Sequence, residues 1–276
     1  MDSQHSSATV AALYDQLSGA LMDILGGSIH FGYWDNAADE RGIEAATDCM
    51  TTLVADRLAI TSPNQRILDV GCGTGKPAMQ IALTHNCHVT GITNSNRQVE
   101  IAQSKVSSYT EPGKLNFQLE DAEDLKFPDK SFDGAVAIES LIHMGDKRAA
   151  IAQIARVLRP GSRFVIADVF IDDGRIEDTD AQVLASLCQL FQVRTIPTAG
   201  DIRELLRQAG LEIKEFTDVR QNIQRNFQTI ASGLGQIKIA QNNEMGEQVQ
   251  AMIEGLSKMG DLKQFGYAII TAVRTE

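Results

Sequence analysis

The chain has 276 residues, 43% of them hydrophobic, and a formal net charge of −11. That length and apolar share suit one large domain with a true core and room for insertions, while the acidity argues against nucleic acid or an anionic membrane surface as partner. The N-terminus lacks a charged segment followed by an apolar one, and no run of about 18 apolar residues occurs, so neither a signal peptide nor a membrane-spanning helix is expected.

Residues 1–8 are polar and expected to fray. Apolar spacing predicts a helix over 10–25, broken by Gly26-Gly27, and a second amphipathic helix over 43–58. From residue 66 the pattern alternates, with strands at 66–70, 88–92, 115–119, 132–138 and 162–169 and helices at 76–84, 95–108 and 146–158. Pro160-Gly161 is expected to stop the last of these helices. Such alternation predicts an α/β fold, a parallel sheet with helices on both faces. Residues 171–198 begin acidic and loop-like and turn helical over 181–191; a helix at 201–209, a terminating Gly210 and a strand at 211–218 follow. Residues 219–260 are rich in Gln and Met at helical spacing, and a strand at 265–273 closes the chain. Segments 171–198 and 219–260 fall outside the repeating unit and, with the N-terminal helices, are expected to cap the strand C-termini. Cys49, Cys72, Cys87 and Cys188 form no CxxC pair, which reads as reduced thiols in a cytoplasmic protein.

The stretch Arg66-Ile67-Leu68-Asp69-Val70-Gly71-Cys72-Gly73-Thr74-Gly75 carries the most information. Glycine lets the backbone turn sharply and approach a ligand. The helix start behind it offers N–H groups to a polar or anionic group. Asp69 stands where a carboxylate could reach a cationic ligand. The G-x-G-x-G spacing is not the G-x-G-x-x-G of dinucleotide folds, and strand 88–92 ends in Thr93-Asn94-Ser95-Asn96, without an acid for a dinucleotide ribose. The spacing ahead of Lys76 also fails the Walker pattern. Taken alone, the glycines leave a ligand-free turn open.

Downstream lie Asp121-Ala122-Glu123-Asp124, then Phe127-Pro128-Asp129-Lys130-Ser131-Phe132-Asp133, Glu139-Ser140-Leu141-Ile142-His143-Met144 and Leu158-Arg159-Pro160-Gly161. With the glycine loop, these motifs resemble the class I S-adenosylmethionine (SAM)-dependent methyltransferases over roughly residues 30–170. His30-Phe31-Gly32-Tyr33-Trp34-Asp35, and Gly91-Ile92-Thr93-Asn94-Ser95 with Gln98, are similar to a small-molecule branch working on bacterial natural products. That branch includes sugar O-methyltransferases and terpenoid or indole C-methyltransferases.

The resemblance implies a Rossmann-like, seven-stranded, mostly parallel sheet with helices on both faces, an antiparallel last strand and a helical cap. It divides the chain into a cap segment at 1–65, a SAM-binding core at 66–170, and the rest of the core with its cap insertions at 171–276. SAM is the implied cofactor. Gly71, Gly73 and Gly75 would pass along its methionyl part, with the ammonium meeting backbone carbonyls or Asp69. Asn94 and Gln98 would take the ribose in place of the usual acid, since an amide both donates and accepts; Asn94 or Ser95 could equally be a helix cap. Asp121 would accept from the adenine amino group and the Ala122 N–H would bond a ring nitrogen, the plain alternative for Asp121 being a solvated turn acid. Tyr33, and with it Trp34, would close over the cofactor or belong to the cap core.

Methyl transfer from a sulfonium is an in-line displacement to which the protein chiefly contributes alignment and desolvation. An oxygen or nitrogen acceptor must also lose a proton, and a positioned base assists. His143, just past the fourth strand, is the candidate base. Asp168, ending the fifth, would orient or charge it, because neighbouring strands lie about 4.8 Å apart. A pocket-wall role for His143 and a loop-cap role for Asp168 stay open, and Glu139 is a further candidate base or cofactor contact. His85 and His88 flank Cys87 but straddle a helix end and a strand start, so no metal site is expected. The expected function is methylation of a small secondary metabolite, with no nucleic acid or membrane partner and a homodimer compatible. The alternatives are C-methylation of an indole or an allylic prenyl diphosphate, for which Arg194, Arg220 and Arg225 could supply cations, and a SAM-binding protein that scaffolds or catalyses a cyclisation.

Overall fold

A computed structural model describes residues 22–106, 113–190, 193–236 and 244–276. Most of the helix expected at 10–25, and the N-terminal residues expected to fray, lie outside them. Helix α1 (Ile43–Leu58) buries Met50, Val54 and Leu58 on one stripe. Each such side chain contributes about 1.5–3 kcal/mol on leaving water. The alternating core follows: β1 (Arg66–Val70), α2 (Lys76–His85), β2 (His88–Thr93), α3 (Asn96–Val106), β3 (Leu115–Leu119), β4 (Phe132–Ile138), α4 (Lys147–Val157) and β5 (Leu158–Ile171). Then come α5 (Asp178–Leu190), α6 (Ala199–Gln208), β6 (Leu211–Asp218), α7 (Arg225–Gln236), α8 (Glu244–Asp261) and β7 (Phe265–Arg274).

The sheet order is β3-β2-β1-β4-β5-β7-β6. Strands β1 to β5 run parallel, and β7 lies antiparallel to both β5 and β6. Side chains alternate faces along a strand. Accordingly Ile67 joins a core with Met50, Met79, Phe227 and Met252, whereas Leu68 and Val70 join the opposite core with Ile154 and Leu206. Both faces are covered, as a parallel sheet requires.

One boundary differs from expectation. Helix α4 ends at Val157, and Pro160-Gly161 falls inside an irregular start of β5, where pairing jumps from Phe132↔Leu158 to Gly134↔Arg163. Gly161 takes φ 81°, a turn that glycine makes without strain. Within the Gln- and Met-rich stretch, the described residues include α7 and α8, in keeping with its helical spacing.

The chain runs outward through β1, β2 and β3, then returns to lay β4 on the other side of β1. Ligands in open α/β sheets bind beyond the strand C-termini at this reversal. Ser140, just past β4, donates its Oγ–H to the Val70 carbonyl at 2.6 Å and ties the two strand ends together there.

Candidate active site

The three loop glycines all have positive φ, at 74°, 53° and 84° for Gly71, Gly73 and Gly75. Their roles differ. A Cβ on Gly71 would stand 2.4 Å from the Ser140 Cβ, and one on Gly75 would stand 2.6 Å from the Phe117 ring. Both are glycines because the protein packs on them. Among the described residues, a Cβ on Gly73 would meet nothing within 4 Å, so this is the loop residue whose backbone faces open space. The Gly71 and Cys72 N–H groups both donate to the Ile92 carbonyl at 2.9 Å, fastening the loop to β2.

Lys76 was given no role in the sequence, and it locks an N-terminal strap, residues 26–34, over the loop. Its Nζ donates to the Gly26 carbonyl (2.6 Å) and pairs with Asp48 (2.9 Å) and Glu44 (3.3 Å). The Thr74 hydroxyl donates to Gly27. Beside this closure two buried polar atoms lack a partner among the described residues: Asp69 Oδ2 in β1 and Ser28 Oγ in the strap. Burial pushes the Asp69 carboxyl up to about 7.

At the end of β2, Ser95 rather than Asn94 caps α3, its Oγ accepting from the Gln98 N–H at 3.3 Å. Asn94 is exposed. The Thr93 hydroxyl donates to Gln98 Oε1 at 2.6 Å and receives the Ser95 N–H, which turns the Gln98 amide nitrogen outward as a donor. After β3, Asp121 is an exposed turn acid with Oδ1 accepting from the Glu123 N–H at 2.9 Å. Ala122 is half-buried against the core. Glu123 bridges to the Asp146 N–H at 2.9 Å, joining this turn to the start of α4.

Glu139, immediately after β4, takes φ 47°, a left-handed conformation unusual for a residue with a side chain. Its Oε1 accepts from the Phe31 N–H at 2.6 Å and the Tyr267 hydroxyl at 2.9 Å, and burial pushes the carboxyl up to about 8. Glu139 therefore latches the strap to β7. Asp168 is buried and is likewise pushed up by burial, to about 6. Its oxygens accept from the Val169 N–H (2.8 Å) and the Ile142 N–H (3.1 Å). Asp168 thus holds the peptide next to His143, in the short 3-10 turn Leu141–His143. Surrounding protein, then the Lys147 ammonium, push the imidazole down to about 4, although the residue stays exposed. His143 accordingly presents a neutral imidazole from the wall of the site.

The strap is fixed by a residue the sequence did not flag. Asn226, fully buried on α7, accepts the Gly32 N–H at 2.7 Å and donates to its carbonyl at 2.9 Å. Trp34 is buried, with its indole N–H on the Arg41 carbonyl at 2.9 Å, and so belongs to the cap core. Tyr33 packs, half-buried, against the core that holds Met50 and Val54, and its N–H donates to the Ala46 carbonyl at 2.9 Å. His30 is a buried structural histidine, Nδ1 on the Phe31 carbonyl and Nε2 on the Thr51 hydroxyl, and burial lowers it to about 4. The three cap arginines are engaged within the fold. Arg220 pairs with Asp172 and Asp218, Arg225 donates to the Ala37 and Asp39 carbonyls over the Trp34 ring, and Arg194 donates to the Gly145 carbonyl.

Residues 68–166 match the family model described as a methyltransferase domain. The chain is 44% identical to the O-methyltransferase resE of Aspergillus sclerotiorum, over 99% of this chain and all of that one. This is a class I SAM-dependent methyltransferase. The methyltransferase GfsG of Streptomyces halstedii is 33% identical over 96% of this methyltransferase and 94% of its own length. The branch therefore spans fungi as well as the bacteria that the resemblance suggested. Among solved structures, the [4+2]-cyclase SpnF superposes with a TM-score of 0.83 at 31% identity, covering 96% of each chain. The methyltransferase acts on a small molecule of secondary metabolism and uses SAM. Its residues fit that cofactor: the open backbone at Gly73, the unpartnered Asp69 and Ser28 atoms, and desolvated carboxyls at the ends of β1, β4 and β5 suit a ligand carrying an ammonium and a sulfonium. Among the described residues, no helix is long and apolar enough to cross a membrane, and no group of His, Cys, Asp and Glu is placed to hold a metal ion.

Burial raises Asp69 to about 7 and Glu139 to about 8. A cation bound beside them would favour the carboxylate, so SAM held there should release protons near pH 7. A raised carboxyl stabilises the free fold below its ordinary range, and that contribution is lost as pH rises through the folded values. The gain in Tm on adding SAM should thus be larger at pH 8 than at pH 6. Calorimetry in two buffers of different ionisation enthalpy measures the release; equal apparent enthalpies would contradict it.

Proposed function

We propose that this methyltransferase methylates a hydroxyl group of a small secondary metabolite, with His143 as the base. The observation that carries this reading is the placement of His143 on the turn just past β4, a turn whose backbone is held by Asp168. Bound SAM supplies a methyl group already activated on its sulfonium. Asp69, Gly71, Gly73 and Gly75 hold the methionyl end, Asn94 and Gln98 the ribose, and Asp121 with Ala122 the adenine. His143 takes the acceptor's hydroxyl proton, and Asp168 positions it through the Ile142 N–H. Glu139, committed to Phe31 and Tyr267, is better suited to closing the strap than to moving protons. The segments divided off in the sequence at 1–65, 171–198 and 219–260 are assigned, for their described residues, to the cap that selects the acceptor, outside the core at 66–170.

An O-acceptor agrees with the name of the 44%-identical relative. The arginines proposed for a prenyl diphosphate hold the cap together instead, which disfavours that acceptor. The thiols and the acidic surface suit a cytoplasmic protein that does not bind nucleic acid. Incubation with labelled SAM and a panel of phenols, sugars, indoles and prenyl diphosphates, read by mass spectrometry, tests the assignment. A phenol or sugar should gain a methyl group, with equimolar S-adenosylhomocysteine and no need for Mg²⁺. Methylation only of a prenyl diphosphate with Mg²⁺ would reject the hydroxyl acceptor. The likeness to SpnF favours one second reading, cyclisation on a SAM-bound fold, which would give a rearranged product and no S-adenosylhomocysteine.

A further inference from the structure

Lys147 is the first residue of α4, where a cation opposes the helix dipole. Helix preference does not explain it there. Its ammonium instead donates to the Ile142 carbonyl at 3.0 Å and the Met144 carbonyl at 3.2 Å, the two carbonyls on either side of His143. The Ile142 N–H is meanwhile taken by Asp168 at 3.1 Å. Both polar groups of residue 142 are therefore held by oppositely charged side chains from different elements, β5 and α4. Within the turn, the His143 N–H reaches the Ser140 carbonyl at 3.2 Å, and Ser140 is itself tied to β1. The imidazole stands on a peptide clamped from both sides.

We propose that Lys147 is a positioning residue for methyl transfer, clamping the backbone that carries His143 between its own ammonium and the Asp168 carboxylate. The proposal rests on the reading of His143 as the base. Its electrostatic side follows from proximity: a fixed positive charge next to an imidazole disfavours a second one. Among the described residues, Lys147 is a charge that acts on His143 in this way. Lys147 is half-buried and in turn faces Asp168 from β5, Glu123 from the turn after β3, Cys188 from α5 and Arg194 from the loop beyond it. Desolvation lowers its own affinity for a proton, while Asp168 and Glu123 restore part of it.

The test compares Lys147→Met, Lys147→Arg and His143→Ala in the full chain. The primary measurement is the NMR titration of the His143 imidazole in protein saturated with S-adenosylhomocysteine, with the resonance assigned by its loss in His143→Ala. Lys147→Met should move that titration to higher pH, and Lys147→Arg should return it toward the parent. With the acceptor found in the panel, Lys147→Met should lower kcat by roughly tenfold and shift the acid limb of the pH profile upward, while the Kd for SAM stays within about twofold. An unmoved titration, or a kcat loss that is equal at every pH and not restored by Arg, would overturn the proposal. Full turnover in His143→Ala would remove the base reading alone, because the titration reports the clamp independently of catalysis.

Discussion

His143→Ala should lower kcat by roughly 10²–10⁴-fold, the range a general base contributes, while leaving the Kd for SAM within about twofold. The asymmetry follows from placement. His143 lies on the turn after β4, whereas the polar atoms suited to the cofactor's methionyl end belong to β1, the glycine loop and the strap. The pH profile carries the same assignment. The imidazole's affinity for a proton is depressed, so the base is neutral and active above its folded value and is lost only as pH falls through it. The kcat profile should therefore stay flat down through pH ~6.5, histidine's ordinary value, and fall below it. His143→Ala should lack that acid limb. Steady-state kinetics against pH with calorimetric SAM binding decide it: an equal loss of kcat and SAM affinity would make His143 a binding residue, and a limb above neutrality would point to another group.

Gly71→Ala and Gly73→Ala should separate folding from binding within three residues. Alanine at either position is forced into a left-handed conformation that costs about 1–2 kcal/mol. At Gly71 the added methyl also meets the Ser140 Cβ at 2.4 Å, and Ser140 is bonded to Val70 and cannot withdraw. The combined cost should reach ~3 kcal/mol or more, or about 10 °C in Tm for a domain of this size. At Gly73 the methyl points into open space, so the loss should stay within about 5 °C. That space is where the methionyl end of SAM is assigned, and Gly73→Ala should weaken SAM by at least tenfold. Thermal melts and equilibrium binding on both variants suffice. Unchanged SAM affinity in Gly73→Ala would show that the loop's open face is not the cradle.

Much of the core was legible because it depends on local pattern. Ile67, Leu68 and Val70, then a glycine turn and Lys76-Pro77, specify strand, turn and helix within a dozen residues. The cap of α6 is equally local, Thr198 and Asp201 bonding reciprocally at 3.0 Å and 2.9 Å, yet the expected helix at 201–209 began inside it. The residues the sequence left unread are those whose partners are remote in sequence. Asn226 looked like any residue on an amphipathic helix until its amide met the Gly32 backbone, 194 residues away. Nothing local marks Asp172 as the partner of Arg220 or the Asp39 carbonyl as that of Arg225, although Asp218 lies two residues from Arg220.

The sequence by itself determined the alternating α/β core, the glycine loop and the membership of the methyltransferase family. These follow from hydrophobic period, turn chemistry and spacing, which act over a few residues. Only the tertiary structure decided which glycine faces open space, which acid latches the strap, and that Asp168 and Lys147 meet on the peptide beside His143. Such choices depend on which atoms the sheet order brings together at the end of β4, and on how far each is removed from water.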